Sequence, residues 1–438
     1  MSRPTRDVEK LLEAWDSLSD GERVESFHHL PRAQADDFFF ALAPRDESRL
    51  ILSLPPGERR IWMRLLAPDD ATDVIQETPE HDRPGLLSLL DETAIREVLA
   101  LLAYKEDEAG GLMSPRFARL RPEMQIDEAI AYLRRQAQSG LVETVHYAYA
   151  LDSEQHLLGV VTFRRLFSAQ KDQTVRDIMR TNFTSAPEEM DQEALANLFA
   201  DQHLLAIPIV DSENRMKGIV TADDIVDVVE EEASEDIQKI GGMEALDTPY
   251  LEAGFSEMVR KRGGWLAALF LGEMLTTTAM TYFEHEIARA IILVLFIPLI
   301  MSSGGNSGSQ ATTLVIRAMA LGQVRLRDWW RVVRREFAAG LALGCLLGAI
   351  GFTRILVWQA VAKPYGEHYL LVALTVASSL VGVVLFGTLV GSTLPFVLRR
   401  VGLDPASASA PFVATLVDVT GLVIYFTVAS LILTGTLL

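Results

Sequence analysis

Five apolar segments in the second half of the chain constrain its fold more than any other feature. They cover about residues 265–283, 287–309, 337–362, 370–398 and 406–437. Each is long enough to cross about 30 Å of hydrocarbon as an α-helix. Because a backbone exposed to lipid must satisfy its own hydrogen bonds, we expect all five to be helical. The sequence therefore predicts a multidomain membrane protein with five transmembrane helices, embedded in a lipid bilayer.

The charged residues lie mostly outside these segments. Of 59 acidic and 40 basic residues, eight acidic and eleven basic ones follow Arg262, which leaves 51 and 29 before it and a formal charge of −22 there. Such an acidic surface opposes nucleic-acid binding, because phosphate backbones require Lys and Arg. It favours cations as ligands instead.

The arginine distribution predicts the orientation in the membrane. The loop between the second and third apolar segments carries Arg325, Arg327, Arg331, Arg334 and Arg335, and the loop after the fourth carries Arg399 and Arg400. By the positive-inside bias these loops are cytoplasmic, and Leu438 is then outside. No leading apolar segment is present in residues 1–20, so we expect the polar half in the cytoplasm. With Cys345 as the single cysteine, the chain fits a bacterial inner (plasma) membrane.

The polar half divides into two kinds of structure. Residues 1–108 contain short amphipathic stretches separated by Leu-Pro or Ala-Pro, which predicts an all-α superhelical N domain. An internal repeat follows, because LMSPRFARLRPEMQIDEAI aligns with IMRTNFTSAPEEMDQEAL and each copy continues into an apolar strand pair. Residues 109–171 and 172–232 therefore predict two α/β modules that pack as a pseudo-symmetric pair.

An acidic segment connects the repeat to the membrane part. Residues 223–242, DDIVDVVEEEASEDIQKIGG, lack proline and predict a helix that ends at the Gly pair. Asp224, Asp227, Glu231 and Glu235 fall on one face at i+3 or i+4 spacing. Each like-charge pair costs a few tenths of a kcal/mol, so a divalent cation would relieve the repulsion. We expect residues 233–262 to form a long acidic connecting helix and residues 263–438 to form the membrane domain.

Asp418 is the only charged residue in residues 405–438. A carboxylate near the centre of a membrane helix costs roughly 2.5–3.5 kcal/mol on insertion scales, so it faces a bundle interior, a partner or a wet path. The alternative is a hydrogen bond to a neighbouring helix. We interpret Asp418 as a residue of an ion or solute pathway.

The segment GGNSGSQ at the end of the second apolar stretch offers two interpretations. Gly304, Gly305 and Gly308 predict a helix interrupted at membrane depth, which is tolerated where it is buried in protein or lines a cavity; a simple kink is the alternative. Residues 305–308 also match the GxSG of intramembrane serine proteases. A serine nucleophile needs a base, and the only histidines after Arg262 are His285 and His368, both in predicted outer loops. We therefore expect no enzymatic activity.

The ligand types favour Mg²⁺ as the transported ion. Mg²⁺ prefers oxygen ligands, keeps several waters and is held by one or two carboxylates. One Asp418 per chain, doubled in a homodimer, supplies two. A K⁺ path would use rings of carbonyls and an anion path would use basic residues. The alternatives are a path for Co²⁺ or Mn²⁺, or a membrane-anchored Mg²⁺ or nucleotide sensor.

Three motifs from separate parts of the chain carry a family resemblance. PFVATLVDVTGL, GGNSGSQATTLVIRA and YKEDEAGGLMSP closely resemble the MgtE family of magnesium channels, over nearly the whole chain. The resemblance implies an N domain, tandem cystathionine-β-synthase (CBS) modules, an acidic plug helix and five membrane helices. It further implies a homodimeric, Mg²⁺-selective channel of the plasma membrane, closed by Mg²⁺ bound among its cytosolic domains.

The resemblance also assigns roles to individual residues. It implies that Asp418 is the pore carboxylate, with the carbonyl of Ala414 and with Asn306 beside the ion. The implied regulatory Mg²⁺ ligands are Asp37, Asp69, Asp73, Asp191, Glu193, Asp224, Asp227, Glu232, Glu235 and Asp236. His203 and Ala410 depart from the family pattern at one regulatory site and at one outer-pore contact.

CBS modules often bind adenine nucleotides. Thr221 and Asp224 fit the usual ribose-binding pattern, whereas the first module has Arg165 at the corresponding place. The resemblance thus implies at most one ATP site per chain.

Overall fold

The computed structural model describes residues 6–139, 142–144, 146–246, 248, 250–251 and 253–437. The chain forms two compact units, Met1–Val229 and Glu230–Leu438, and each is described by itself.

The first unit begins with a group of short helices. Their bounds are α1 (Arg6–Ala14), α2 (Asp20–His28), α3 (Arg32–Phe39), α4 (Pro44–Ser53), α5 (Pro56–Met63), α6 (Pro68–Gln76), α7 (Arg83–Leu87) and α8 (Glu92–Leu101). Proline is the first residue of α4, α5 and α6, where its fixed φ suits the helix and its missing N–H costs nothing. The Leu-Pro and Ala-Pro pattern thus marks real helix starts. The apolar faces meet in a core that includes Phe38, Ile51 and Ile75, all fully buried.

The repeat forms two α/β modules of matching topology. The first contains β1 (Ala118–Leu120), α9 (Ile126–Gln138), β2 (Tyr147–Leu151), β3 (Leu157–Thr162) and α10 (Phe163–Ser168). The second contains α11 (Val175–Ile178), β4 (Ala186–Pro187), α12 (Gln192–Gln202), β5 (Ala206–Val210) and β6 (Met216–Thr221). In each three-stranded sheet the first strand pairs parallel with the second, and the second pairs antiparallel with the third.

The two modules pack against each other through their sheets. The amide of Leu157 donates to the carbonyl of Asn214 at 3.0 Å, and the amide of Met216 donates to the carbonyl of Gln155 at 2.9 Å. Tyr149 of the first module and Ile219 of the second share one core and are fully buried. The predicted pseudo-symmetric pair is therefore confirmed.

The acidic segment is a helix, α13 (Ala222–Ile240), as its sequence predicts. The helix ends just before the Gly pair, and Gly242 has a φ of +78°, a left-handed conformation that favours glycine. The next helix, α14 (Phe255–Tyr282), begins fifteen residues after Ile240. The expectation of one long connecting helix over residues 233–262 is therefore wrong, because the range contains the end of α13 and the start of α14.

The remaining helices belong to the membrane part. They are α15 (Glu284–Arg289), α16 (Ile297–Ala320), α17 (Trp329–Ala362), α18 (Tyr369–Arg400) and α19 (Ala410–Leu433). Among the described residues, four spans are long and apolar enough to cross a membrane: Ile291–Ala320, Leu326–Ala362, Tyr369–Arg400 and Ala410–Leu433. The first predicted segment lies in α14, where Glu273 and four threonines lower the hydropathy. The count of five stays a prediction.

The expectation of an interrupted second membrane helix is wrong. Helix α16 runs without a break through Gly304, Gly305 and Gly308, and none of them has a positive φ. A Cβ at Gly387 would overlap the carbonyl oxygen of Gly304, and one at Gly391 would overlap that of Gly308. These glycines therefore allow α16 and α18 to pack backbone against backbone, a use of small residues that leaves the helical hydrogen bonds intact.

The small residues of α17 have the same use, as their spacing predicts. A Cβ at Gly344 would lie 2.9 Å from the Cα of Val381, and one at Gly348 would lie 2.9 Å from the carbonyl oxygen of Ala377. Helix α17 thus presents its glycine face to α18.

Candidate metal centre

Three carboxylates from separate elements of the first unit meet at one point. Asp69 lies in the first turn of α6, Glu143 lies in the segment before β2, and Asp224 lies in the first turn of α13. One carboxylate oxygen from each lies within 4.8 Å of the other two. Oxygen donors at this spacing are what a hard divalent cation such as Mg²⁺ uses.

Local structure fixes each of the three. The proline before Asp69 starts α6 and places the carboxylate at a helix N-terminus. The amide of Glu143 donates to the carbonyl of Arg116 at 2.9 Å. The Oδ2 atom of Asp224 accepts hydrogen bonds from the amide of Thr221 at 3.0 Å and from its hydroxyl at 2.6 Å. Thr221 and Asp224, the expected ribose-binding pair, are therefore bonded to each other.

Asp69 is the least solvated member of the cluster. Its side chain belongs to a residue that is only 6% exposed, and its Oδ1 atom has no hydrogen-bond donor within the described chain. A buried carboxylate oxygen without a donor is costly, so its presence in a folded protein calls for a ligand. The site fits a Mg²⁺ ion because the Asp69 carboxylate, with this unpaired oxygen, lies beside two further carboxylates.

Burial and mutual repulsion disfavour the charged forms of these groups. Burial, and then the charges of Glu143, Asp70 and Asp224, raise the pKa of Asp69 well above its usual range. Burial raises the pKa of Glu143 to about 7 and that of Asp224 to about 6. No salt bridge joins any of the three to a described Lys, Arg or His. A divalent cation would supply the missing positive charge.

More carboxylates surround the cluster. Burial raises the pKa of Asp73 to about 8, helped by the charges of Asp70 and Asp224. Burial also raises the pKa of Glu47 to about 9, with further contributions from Asp70 and Asp73. The cluster therefore lies among further buried carboxyl groups whose charged forms are disfavoured by the same burial and repulsion.

The other expected regulatory residues lie elsewhere. Asp37 is exposed on α3, and Asp191 accepts hydrogen bonds from the amides of Glu193 and Ala194 as the N-cap of α12. Asp227, Glu232, Glu235 and Asp236 follow along α13. His203 ends α12 with a φ of +52°, and the carbonyl of Ala410 accepts from Ser309 at 3.2 Å.

In the second unit, the last turn of α13 has its own charge arrangement. The Lys239 ammonium lies 2.5 Å from Glu235 Oε1 and 2.7 Å from Asp404 Oδ2. Burial alone would lower the pKa of Lys239, but its hydrogen bonds to Asp404 and Glu235 outweigh this and hold the pKa above its usual value. Burial, and then the charge of Asp404, raise the pKa of Asp236 to about 6.

The expected pathway residues lie on α16 and α19. Ala414 and Asp418 are one turn apart on α19, and a Cβ at Gly305 would lie 3.4 Å from the Cβ of Ala414. The neighbour of Gly305, Asn306, is exposed and donates to Ser302 at 3.4 Å. The charge of Glu273 on α14 acts on Asp418.

Sequence reasoning missed Glu143 and Glu273. Glu143 carries no helical or strand periodicity that would place it beside Asp69 and Asp224, so nothing in the sequence signals it. Glu273 does have a signal, since it is the only charged residue between Arg262 and Glu284.

A helical region, paired α/β modules, a carboxylate cluster suited to a cation and long apolar helices together describe a multidomain membrane protein, and comparison with known proteins identifies its family. Residues 297–428 match the model of the MgtE divalent cation transporter family, residues 6–107 match the MgtE intracellular N domain, and residues 175–231 match the CBS domain. The chain belongs to the MgtE family, whose curated relatives are magnesium transporters.

Three relatives illustrate the similarity. The magnesium transporter MgtE of Thermus thermophilus is 39% identical, and the match covers 97% of this chain and 92% of the relative. MgtE of Enterococcus faecalis is 31% identical over 76% of this chain and 71% of its own. A crystal structure of the cytosolic domain of the Mg²⁺ channel MgtE in complex with ATP is 36% identical, covers 50% of this chain and 90% of its own, and superposes with a TM-score of 0.47.

Proposed function

We propose that this chain is a Mg²⁺-selective channel of the plasma membrane that is closed by Mg²⁺ on its cytoplasmic side. The observation that carries the proposal is the cluster of Asp69, Glu143 and Asp224, with oxygens within 4.8 Å of one another and an unpaired buried oxygen on Asp69. Three carboxylates at this spacing repel one another strongly in the absence of a cation. A protein built this way has a compact state that depends on the Mg²⁺ concentration around it.

The proposed pathway runs past Asp418. Its carboxylate, with the carbonyl of Ala414 one turn earlier and the amide of Asn306, would contact the hydrated ion. A homodimer would place two copies of Asp418 along one path, within a membrane domain of five helices per chain. The cost of a lone carboxylate in hydrocarbon supports this role, because a wet path removes that cost.

The proposed gate uses the cytosolic carboxylates. At low cytosolic Mg²⁺, repulsion within the cluster and along α13 opposes the compact state, and the path is open. At high Mg²⁺, Asp69, Glu143 and Asp224 hold the ion, so that the compact, closed state is favoured by mass action. Further ligands in this scheme are Asp37, Asp73, Asp191, Glu193, Asp227, Glu232, Glu235 and Asp236.

An ATP site is proposed at Thr221 and Asp224. The Asp224 carboxylate also belongs to the metal cluster. Nucleotide binding and Mg²⁺ binding would therefore share one residue, and each would change the apparent affinity of the other.

Mg²⁺ influx into proteoliposomes tests the pathway. We expect influx through the parent when Mg²⁺ is chelated on the cytoplasmic face, and its loss in Asp418→Ala. Glu367→Ala, which removes an exposed carboxylate from the loop between α17 and α18, is the matched control and should conduct like the parent. Equal influx through Asp418→Ala and the parent would contradict the proposed path, and influx of Co²⁺ or Mn²⁺ without Mg²⁺ would contradict the selectivity.

A further inference from the structure

The last turn of α13 holds the single basic residue of that helix. Lys239 is the only Lys or Arg in residues 222–240. Its ammonium bridges Glu235 of the same helix, at 2.5 Å, and Asp404 of the segment between α18 and α19, at 2.7 Å. Both side chains of the Lys239–Asp404 pair are mostly removed from solvent, with 26% and 37% exposed. The pair therefore joins the last turn of α13 to the segment before α19 within the second unit.

Asp404 also contacts the turn that precedes α19. Its Oδ1 atom accepts from the amide of Ala406 at 2.8 Å and so caps the 3₁₀ turn Pro405–Ser407. The turn leads directly to Ser409, whose hydroxyl accepts from the amide of Phe412 at 3.3 Å as the N-cap of α19. Helix α19 carries Asp418 two turns further on.

Apolar contacts accompany the ion pair. Ile240, next to Lys239, packs against a small cluster of Ile316, Ala406 and Ala408. Just beyond the helix, a Cβ at Gly242 would lie 3.0 Å from both Pro411 and Trp265, and the indole of Trp265 donates to Ser409 at 3.1 Å. The end of α13 is thus packed around the first residues of α19.

The charge balance at this contact is negative without the lysine. Glu235 and Asp236 lie on the last turns of α13 with Asp404 opposite them, since Asp404 shares the Lys239 ammonium with Glu235 and its charge acts on Asp236. Removal of Lys239 would leave these carboxylates opposed across the contact, where like charges disfavour close approach. A bound divalent cation would relieve the same repulsion. The lysine and cytosolic Mg²⁺ therefore act on the contact in the same direction.

We propose that Lys239 is a positioning residue of the gate, a built-in cation that holds the end of α13 on the turn preceding α19. The arrangement in this structure is then the closed one, and Lys239 maintains it at a lower cytosolic Mg²⁺ concentration than the carboxylates alone would allow. This inference rests on the proposed Mg²⁺-gated channel. It adds a residue that acts through Asp404 and Ser409 and contacts no transported ion.

The test measures Mg²⁺ influx into proteoliposomes that contain the full-length protein. The quantity compared between variants is the cytosolic-side Mg²⁺ concentration at which the influx falls to half of its maximum. We expect Lys239→Met to raise this half-closing Mg²⁺ concentration roughly fivefold, the size of effect that a partly buried ion pair of about 1 kcal/mol gives. Maximal influx with Mg²⁺ chelated should stay at the parent value. Lys239→Arg, which retains the charge, should close within about twofold of the parent. Lys171→Met, which removes an exposed lysine of the first unit, should have no effect.

Asp404→Asn tests the same ion pair from its other side, because asparagine keeps the N-cap while the charge is lost. The double variant Lys239→Met/Asp404→Asn should require no more Mg²⁺ than the more affected single variant, since one interaction is removed twice. Closure of Lys239→Met at the parent concentration, or at a lower one, would overturn the proposal, and so would fully additive effects of the two substitutions. Absence of Mg²⁺ influx in the parent would instead overturn the proposed channel.

Discussion

The candidate metal site is distinguished by one buried oxygen. Asp69 brings to the cluster a carboxylate whose Oδ1 atom has no donor in the described chain, and Glu143 and Asp224 bring two more carboxylates from distant parts of the sequence. Of these, Glu143 is the residue that no sequence pattern identified, so it offers the most independent test of the geometry.

Replacement of Glu143 by Gln should weaken Mg²⁺ binding to the full-length protein about tenfold or more. The substitution keeps the size of the side chain but removes one charged ligand. Isothermal titration with Mg²⁺ measures the change in affinity. Glu154→Gln is the control, because Glu154 lies in the exposed turn between β2 and β3. Equal affinities for the Glu143 variant and the parent would remove Glu143 from the site.

The raised pKa values predict that Mg²⁺ binding strengthens with pH. The ion binds the deprotonated carboxylates, and the pKa of Glu143 is about 7 while that of Asp224 is about 6. We expect affinity to rise about tenfold or more between pH 6 and pH 8. Titrations in two buffers of different ionisation enthalpy should also detect proton release at pH 6.5. A flat affinity across this range would contradict the assigned burial.

The same shifts affect the Mg²⁺-free protein in the opposite sense. Folded pKa values above the unfolded ones contribute stability below about pH 4, and this contribution is lost as the pH rises through 6 to 8. The thermal unfolding of the Mg²⁺-free protein should therefore begin at lower temperature at pH 8 than at pH 6. Added Mg²⁺ should reverse that difference, as followed by circular dichroism; an unfolding onset independent of pH would argue against the buried carboxylates.

At the scale of helices, the membrane part is held by glycine contacts. The glycines of α16 suggested a broken helix from sequence, because glycine is both a helix breaker and a close-packing residue and composition cannot separate the two uses. The structure resolves the ambiguity through α18, whose Gly387 and Gly391 oppose Gly304 and Gly308. By contrast, the glycines of α17 repeat at intervals of three or four residues, and their packing role was predictable.

Replacement of Gly391 by Ala should destabilise the membrane part by about 1–3 kcal/mol, the usual cost of overpacking. The added Cβ overlaps the carbonyl of Gly308 and lies 2.7 Å from the Thr312 hydroxyl, which donates to the carbonyl of Gly391 at 2.9 Å. Gly264→Ala is a matched control in α14, where a Cβ has no neighbour within 4 Å. Unfolding measured in detergent should show a lower stability for Gly391→Ala than for Gly264→Ala. Equal stability of the two variants would contradict the close approach of α16 and α18.

At the scale of the whole molecule, sequence periodicity and repeats predicted the order of the helical region, paired α/β modules, acidic helix and apolar helices. Local signals sufficed there, because prolines start the helices and the repeat fixes the sheets. The convergence of Asp69, Glu143 and Asp224 was not predictable from spacing, since residues 74 and 81 positions apart meet only through tertiary folding. The effect of Glu273 on Asp418 also depends on tertiary folding, because it requires α14 to lie beside α19.

The most direct test of Mg²⁺ gating is the Mg²⁺ influx into proteoliposomes as a function of cytosolic-side Mg²⁺. The triple variant Asp224→Asn/Asp227→Asn/Glu235→Gln removes three of the α13 carboxylates and leaves the proposed pathway intact. We expect the parent to close as cytosolic Mg²⁺ rises to millimolar concentrations and the triple variant to keep conducting there. Closure of the triple variant at the parent concentration would contradict a gate operated by Mg²⁺ on these carboxylates.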